Sequence, residues 1–313
     1  MKKIVFMGTP EFSVPILEAL IKDPALEIVA VVTQPDRKVG RKRKLTAPPV
    51  KKLALKHDLL VLQPEKLSAS KEMEEIINLK ADLIVTAAYG QYLPTKLLKA
   101  PKYHSINVHA SLLPKYRGAA PIHYALLKGE EKTGVTIMYM EKEMDAGNII
   151  SQAEIKIEDS DDTGSLFEKL SILGRDLLIE TLPKIFAGNN ESIPQDQSKV
   201  TFSPMISKEE EKINWENTAT DIYNHIRALR PAPGAYTILD GDRFKIWDAK
   251  VVGEKSSVNP GEIVEVDKDH LWVATGKGQV VSLLSVQPSG KKRLNIEDYL
   301  SGSKLEIGDR FGE

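Results

Sequence analysis

KIVFMGTPEFSVPILEALI, residues 3–21, changes its hydrophobic period at a single glycine. Before Gly8 the run Ile4, Val5, Phe6, Met7 is wholly apolar, the pattern of a strand buried on both faces. After it Val14, Leu17, Leu20 and Ile21 recur at helical spacing, with Thr9 and Pro10 placed to act as cap and first helical residue. Strand, glycine, helix is the opening unit of a parallel α/β sheet.

The alternation continues. EIVAVVT (27–33) precedes a helix over about 49–57, and LLVLQ (59–63) precedes a polar helix over about 71–79. DLIVTAA (82–88) and HSINVHA (104–110) supply two more strands. Beyond Gly134 the rhythm changes: VTIMYM (135–140) and IISQAEIKI (149–157) flank one short loop and read as adjacent, antiparallel strands, and a long helix over about 165–186 follows. The expectation is a Rossmann-like, mostly parallel sheet over residues 1–188. AGNNESIPQDQSK (187–199) is polar and aperiodic, so residues 189–205 read as a linker. From 206 to 313 a helix capped by Asn217 or Thr218 leads into GAYTIL, RFKIWDAKV, GEIVEV, HLWVAT and QVVSLLSV. These runs are turn-separated with no helix between them, the signature of a small OB-like β-barrel.

Composition narrows the class. A net charge of -1 excludes a wholly basic nucleic-acid binder while permitting a local basic patch. With no cysteine among 313 residues, disulfides, thiolate nucleophiles and cysteine-based zinc sites are excluded together. The first residues do not read as a signal peptide, and no run approaches the ~18 apolar residues of a membrane span. A cytoplasmic protein is expected. The loop after the first strand, MGTPEFS, lacks the second and third glycines that admit a pyrophosphate, so dinucleotide binding is not expected; no Walker A, H-E-x-x-H or G-x-S-x-G motif occurs.

Open α/β sheets bind ligands beyond the carboxyl ends of their strands, which makes TAAYGQ (86–91) and NVHASLLP (107–114) the expected pocket walls. Strand alternation puts Asn107 and His109 on one face. An asparagine amide donates to a developing oxyanion, and a histidine either donates or moves a proton near neutral pH. Asp145, in the loop between two apolar strands, is the best carboxylate to orient such a histidine. Taken alone, N-x-H at a strand end is more often structural than catalytic, and Asp-Ala-Gly is usually a turn. Ser111 lacks a nucleophile elbow, and His104 and His123 read as packing or surface residues. DRKVGRKRKL gathers Arg37, Lys38, Arg41, Lys42, Arg43 and Lys44 in one segment, either a solvated loop or a phosphate-binding edge.

INVHASLLPKYRGAAPIHYALLKG (106–129) resembles the signature segment of the tetrahydrofolate-dependent formyltransferases. FMGTPEFSVPIL, TQPDRKVGRKRKL, FSPMISKEEEKINW and LRPAPGAY extend the resemblance over nearly the whole chain. The resemblance implies a catalytic trio at Asn107, His109 and Asp145. It implies a folate-contacting loop at Ser111, Leu112, Leu113 and Pro114, and a pterin held near Thr86, Ala87, Ala88, Tyr89, Gly90 and Gln91. The implied donor is 10-formyltetrahydrofolate, with no metal required, and the implied acceptor is the amine of methionyl initiator tRNA. The basic loop would then meet the tRNA acceptor end with Arg41 as key contact, and a monomer is expected. One departure is Asn148, where the family more often carries Asp. A formyltransferase for a small amine (glycinamide ribonucleotide or an amino-sugar nucleotide) would explain the trio but leave the basic loop and barrel idle. A hydrolase domain releasing tetrahydrofolate would use water instead of an amine. A non-catalytic tRNA-binding protein would leave Asn107, His109 and Asp145 unexplained.

Overall fold

The computed structural model describes residues 1–40 and 42–312, and its chain divides into two compact units. The first comprises Met1–Pro121, Lys132–Lys156 and Phe167–Ser203; the second comprises Ile122–Glu131, Ile157–Leu166 and Pro204–Glu313.

In chain order the first unit carries β1 (Lys2–Gly8), β2 (Leu26–Val32), the hairpin β3 (Arg37–Val39) and β4 (Lys44–Thr46), β5 (Val61–Leu62), β6 (Leu83–Ala87), β7 (Ser105–His109), β8 (Lys132–Tyr139) and β9 (Ile149–Lys156). Seven of these form one sheet in the order β5-β2-β1-β6-β7-β8-β9. The pairs among β5, β2, β1, β6 and β7 are parallel, and those of β7 with β8 and β8 with β9 are antiparallel. β1 and β6 hold the middle because Ile4 to Met7 and Leu83 to Val85 have no polar side to turn outward; all seven side chains are buried.

Between the strands run α1 (Val14–Lys22), α2 (Pro49–Lys56), α3 (Lys71–Asn78) and α4 (Thr95–Leu98); α5 (Pro121–Leu127) leads into the second unit. α6 (Thr163–Ala187) enters the first unit at Phe167 and lies directly against the sheet at Gly174. A β-carbon there would stand 2.8 Å from Val108 Cγ1, so only glycine permits this seat. Thr9 is not the cap that its position suggests. Pro10 is extended, a single 3-10 turn Glu11–Ser13 precedes α1, and the Thr9 hydroxyl donates instead to the Tyr89 carbonyl at 2.9 Å.

The segment expected to be a linker runs against the first unit as far as Ser203. Ile193 and Ile149 exchange backbone bonds of 2.8 and 2.9 Å, and residues 201–203 pair in parallel with 114–117. Polarity and aperiodicity misled here, because side chains and isolated bridges satisfy its backbone where a regular strand would have used a ladder.

The second unit carries α7 (Ala219–Ala228), capped by the Thr218 hydroxyl, then β10 (Tyr236–Leu239), β11 (Asp242–Val252), β12 (Ile263–Val266), β13 (Leu271–Thr275), β14 (Gln279–Pro288), β15 (Leu294–Asn295) and α8 (Ile296–Leu300). The sheet is antiparallel in the order β10-β11-β14-β13-β12, with β15 on β14. Its two edges are bridged by the C-terminal segment. Ile263 N–H bonds the Asp309 carbonyl and Phe311 N–H the Gly261 carbonyl on one side, while Gly312 N–H reaches Ile238 on the other. Phe311 is buried and stacks on Trp215 at 5.7 Å, anchoring that closure with the ~1.5–3 kcal/mol of a fully buried aromatic side chain. Among the described residues, no helix is long and apolar enough to cross a membrane.

Candidate active site

Asn107 and His109 project from β7 on one face of the sheet, and the chain around them fixes both. The buried Thr86 hydroxyl of β6 lies 2.7 Å from Asn107 Oδ1, so the Nδ2 end of that amide is turned away from Thr86. Thr86 Oγ1 also lies 3.1 Å from the Ile106 carbonyl and 3.2 Å from Met140 Sδ.

His109 is 5% exposed, and its Nε2 lies 2.9 Å from the Tyr116 carbonyl. A carbonyl accepts and never donates, so Nε2 carries a proton and Nδ1 is the nitrogen left for chemistry. Nδ1 faces the Asp145 carboxylate, with Oδ2 3.7 Å away. That separation exceeds a hydrogen bond. It leaves the two groups in electrostatic contact around a gap, and catalytic bonds in unliganded sites are often this long.

The Tyr116 carbonyl reaches His109 because residues 111–118 fold back over the strand end. Tyr116 has φ +63, an uncommon conformation for a bulky residue, and its peptide is pinned at both ends. Its N–H donates to Thr201 Oγ1 at 2.9 Å, and its carbonyl also accepts from the buried Ser203 hydroxyl at 3.0 Å. Upstream, Thr136 on β8 donates to the Ser111 carbonyl at 2.7 Å and accepts from Leu113 N–H at 3.1 Å, and Gln152 on β9 donates to the Leu113 carbonyl at 2.8 Å. Leu113-Pro114 is a cis peptide.

Asp145 lies on the loop joining β8 to β9. Register places Tyr139 opposite Ile106, so that loop leaves the sheet beside the start of β7 and folds back across it to reach His109. Asp145 has φ +51, which a short polar side chain tolerates, and its Oδ2 accepts from Gly118 N–H at 2.8 Å. Gly147 permits the tight return, since a β-carbon there would overlap the Tyr139 carbonyl. Asn148, the family departure, donates to Ser192 Oγ at 3.0 Å.

Of the residues expected to line a folate pocket, Thr86, Ala87, Tyr89, Ser111 and Leu113 are buried, and Ala88 and Gly90 are exposed. Leu112, Pro114 and Gln91 are half-buried. Ser111 donates its hydroxyl to the Lys115 carbonyl at 2.7 Å, a structural use. Gln91 accepts from Leu67 N–H and donates to the Pro64 carbonyl, holding the 86–91 loop in place. Burial of the Tyr89 ring pushes its phenol well above the usual range, so it stays neutral. His104 is exposed, and His123 lies in the second unit with its pKa held down by burial.

The basic segment forms the β3–β4 hairpin, with Lys38, Lys42, Arg43 and Lys44 exposed. Arg37 pairs with Glu65 at 2.7 Å, and Arg41, the contact that the resemblance singles out, lies outside the described residues. In the second unit Lys291, Lys292 and Arg293 are exposed, and the Trp247 ring takes Lys245 Nζ at 5.2 Å and the Arg293 guanidinium at 5.5 Å. Such cation–aromatic edges suit stacked bases and phosphates. Among the described residues, Glu265, Asp267 and His270 alone group three metal-ligand side chains, and they belong to the second unit.

Two residues absent from the sequence reading complete the constellation. Arg117 is 1% exposed, and Gln195 accepts from its Nε and Nη2 at 3.0 and 2.9 Å. The Gln195 amide in turn donates to the Asp145 and Gly147 carbonyls. Arg117 lies within the signature segment, but nothing in the pattern around Gln195 could have placed it there.

The chain matches the family described as formyl transferase over residues 1–182 and the formyl transferase C-terminal domain over 205–304. It is 55% identical to the methionyl-tRNA formyltransferase of Enterococcus faecalis, covering 99% of both chains. It is 56% identical to that of Streptococcus thermophilus, covering 100% of both. Among solved structures it resembles an N-formyltransferase from Helicobacter canadensis in complex with folinic acid and dTDP-3-aminofucose. That match has a TM-score of 0.70 at 22% identity, over 92% of this chain and 100% of that one. It also resembles HypX from Aquifex aeolicus in complex with tetrahydrofolic acid, with a TM-score of 0.61 at 17% identity, over 97% of this chain and 50% of that one.

The Gly147→Ala substitution tests the loop geometry. Its methyl group displaces residues 145–147, and the Gly118 amide, bonded to Asp145, should exchange its hydrogen at least about tenfold faster. Unchanged protection at Gly118 contradicts the placement.

Proposed function

The chain belongs to the formyl transferase family, and from that premise we propose that it moves the formyl group of 10-formyltetrahydrofolate to the α-amine of methionyl initiator tRNA. The observation that carries this reading is the approach of Asp145 Oδ2 to within 3.7 Å of His109 Nδ1, with Asn107 two residues before His109 on the same strand. Full-length identity of about 55% to enzymes bearing that name supports the choice of acceptor.

The neutral amine attacks the formyl carbon, forming a C–N bond as the carbonyl electron pair moves to oxygen. Asn107 Nδ2, held outward by Thr86, donates to that oxyanion; loss of one such donor typically costs about 3–4 kcal/mol of barrier. The amine must lose a proton, and His109 Nδ1 is the acceptor because Nε2 is committed to Tyr116. The Asp145 carboxylate stabilises the doubly protonated ring that results. Collapse breaks the bond to the folate nitrogen, which takes the proton from His109. Formyl amide and tetrahydrofolate are released with no net proton change. Ser111 and Lys115 are not needed as nucleophiles, and no covalent intermediate with the protein is formed.

The loop 86–91 and the turn 111–114 flank this point and are the proposed folate walls. The β3–β4 hairpin and the Trp247 edge are the proposed phosphate contacts, and Arg41 is the proposed key residue of the basic segment. Both surfaces would be idle in an enzyme for amino-sugar nucleotides. We assign the chain an activity in translation initiation, with no membrane partner and as a monomer.

Incubation with labelled 10-formyltetrahydrofolate and charged initiator tRNA, beside free methionine and amino-sugar nucleotide controls, tests the assignment. Label should enter methionyl-tRNA alone; transfer to an amino sugar, or release to water, contradicts it. Asn107→Ala and His109→Ala should each lower kcat at least about tenfold while folate affinity stays nearly unchanged. Near-normal turnover in either would sink the proposed roles. Arg41→Ala combined with Lys42→Ala should raise KM for tRNA and flatten its salt dependence, since each lost phosphate contact removes about 0.7–0.9 from the slope. An unaltered slope makes the hairpin a bystander.

A further inference from the structure

We infer that Gln195 is a positioning residue for the reaction, acting through Asp145; the inference rests on the catalytic reading above. Gln195 comes from the aperiodic segment after α6, yet it is 6% exposed and all of its polar capacity is used on the site. Oε1 accepts two N–H groups from Arg117, at 3.0 and 2.9 Å. Nε2 donates to the Asp145 carbonyl and to the Gly147 carbonyl, each at 2.8 Å.

Its partners leave the amide one orientation. A guanidinium has only donors and a carbonyl only lone pairs, so rotation by 180° would set donor against donor and acceptor against acceptor. The group therefore works as a rigid clasp. It ties down the two carbonyls at Asp145 and Gly147, on the C-terminal side of a residue held at φ +51, while Arg117 also lies 3.5 Å from Glu143 in the same loop. The carboxylate itself is fixed by Gly118 N–H. Without the clasp, the buried Gly147 carbonyl and the half-buried Asp145 carbonyl lose this donor and the loop relaxes toward an ordinary right-handed conformation. Oδ2 then moves out of the 3.7 Å approach to His109 Nδ1.

Two substitutions separate positioning from mere support. Gln195→Met is nearly isosteric and removes every bond. Gln195→Glu keeps an acceptor for Arg117 but presents lone pairs to the two carbonyls, so it disturbs the Asp145 loop while retaining the buried partner. In single-turnover transfer to methionyl-tRNA, Gln195→Glu should be at least about tenfold slower than wild type, with donor affinity within about twofold and unfolding temperature little changed. In an Asp145→Ala background the same change should have no further effect on rate, because the residue acts through Asp145. If Gln195→Met proves unstable, Gln195→Glu carries the test. A Gln195→Glu rate within twofold of wild type overturns the inference, as do losses that multiply with Asp145→Ala or a rate that falls only in step with folate binding and stability. A wild-type chain that transfers no formyl group instead overturns the catalytic reading, and this inference with it.

Discussion

The carbonyl of Tyr116 sets the chemistry of the site. It accepts from His109 Nε2 at 2.9 Å, and that single bond decides which ring nitrogen is turned toward Asp145. The bond exists only because Tyr116 is held in a left-handed conformation, which costs a bulky residue on the order of 1–3 kcal/mol. Thr201 and Ser203 meet that cost with hydrogen bonds to the two sides of the same residue. The strain thus lies one hydrogen bond from the His109 ring and turns a carbonyl toward it that an extended chain would direct elsewhere.

The antiparallel end of the sheet does the rest. β8 and β9 supply Thr136 and Gln152, which tie down the turn after β7. Their connecting loop doubles back over β7 to deliver Asp145. A parallel crossover at this position would have inserted a helix and carried the chain to the next strand. A hairpin keeps the carboxylate close to the strand that bears Asn107 and His109. Asn107 and His109 therefore share one strand and Asp145 comes from a second segment, with backbone hydrogen bonds fixing the frame of both, the kind of preorganisation that acyl transfer uses.

Much of this was legible in the sequence. The glycine-punctuated run at residues 3–21 and the apolar strands after it specify the parallel layer, and Asn107 and His109 share a face because strand alternation admits nothing else. Thr218 caps α7 as its position implies. What escaped has identifiable causes. Thr9 fits a cap by composition, but tertiary contact with Tyr89 claims its hydroxyl. Thr86 reads as a pocket wall, whereas its side chain is buried and spent on Asn107. Gln195 lies in a stretch with no period, and its four bonds are made to residues about 50 and 78 positions away, beyond the reach of any local pattern. Closure of the barrel by residues 309–312 also depends on pairing across the chain that no strand-like run announces.

The most direct measurement is the nitrogen NMR of His109 in its neutral form, with the ring labelled at both nitrogens. The expected result is a proton on Nε2, bonded to the Tyr116 carbonyl, and a bare Nδ1 on the side of Asp145. A neutral ring carrying its proton on Nδ1 would contradict it.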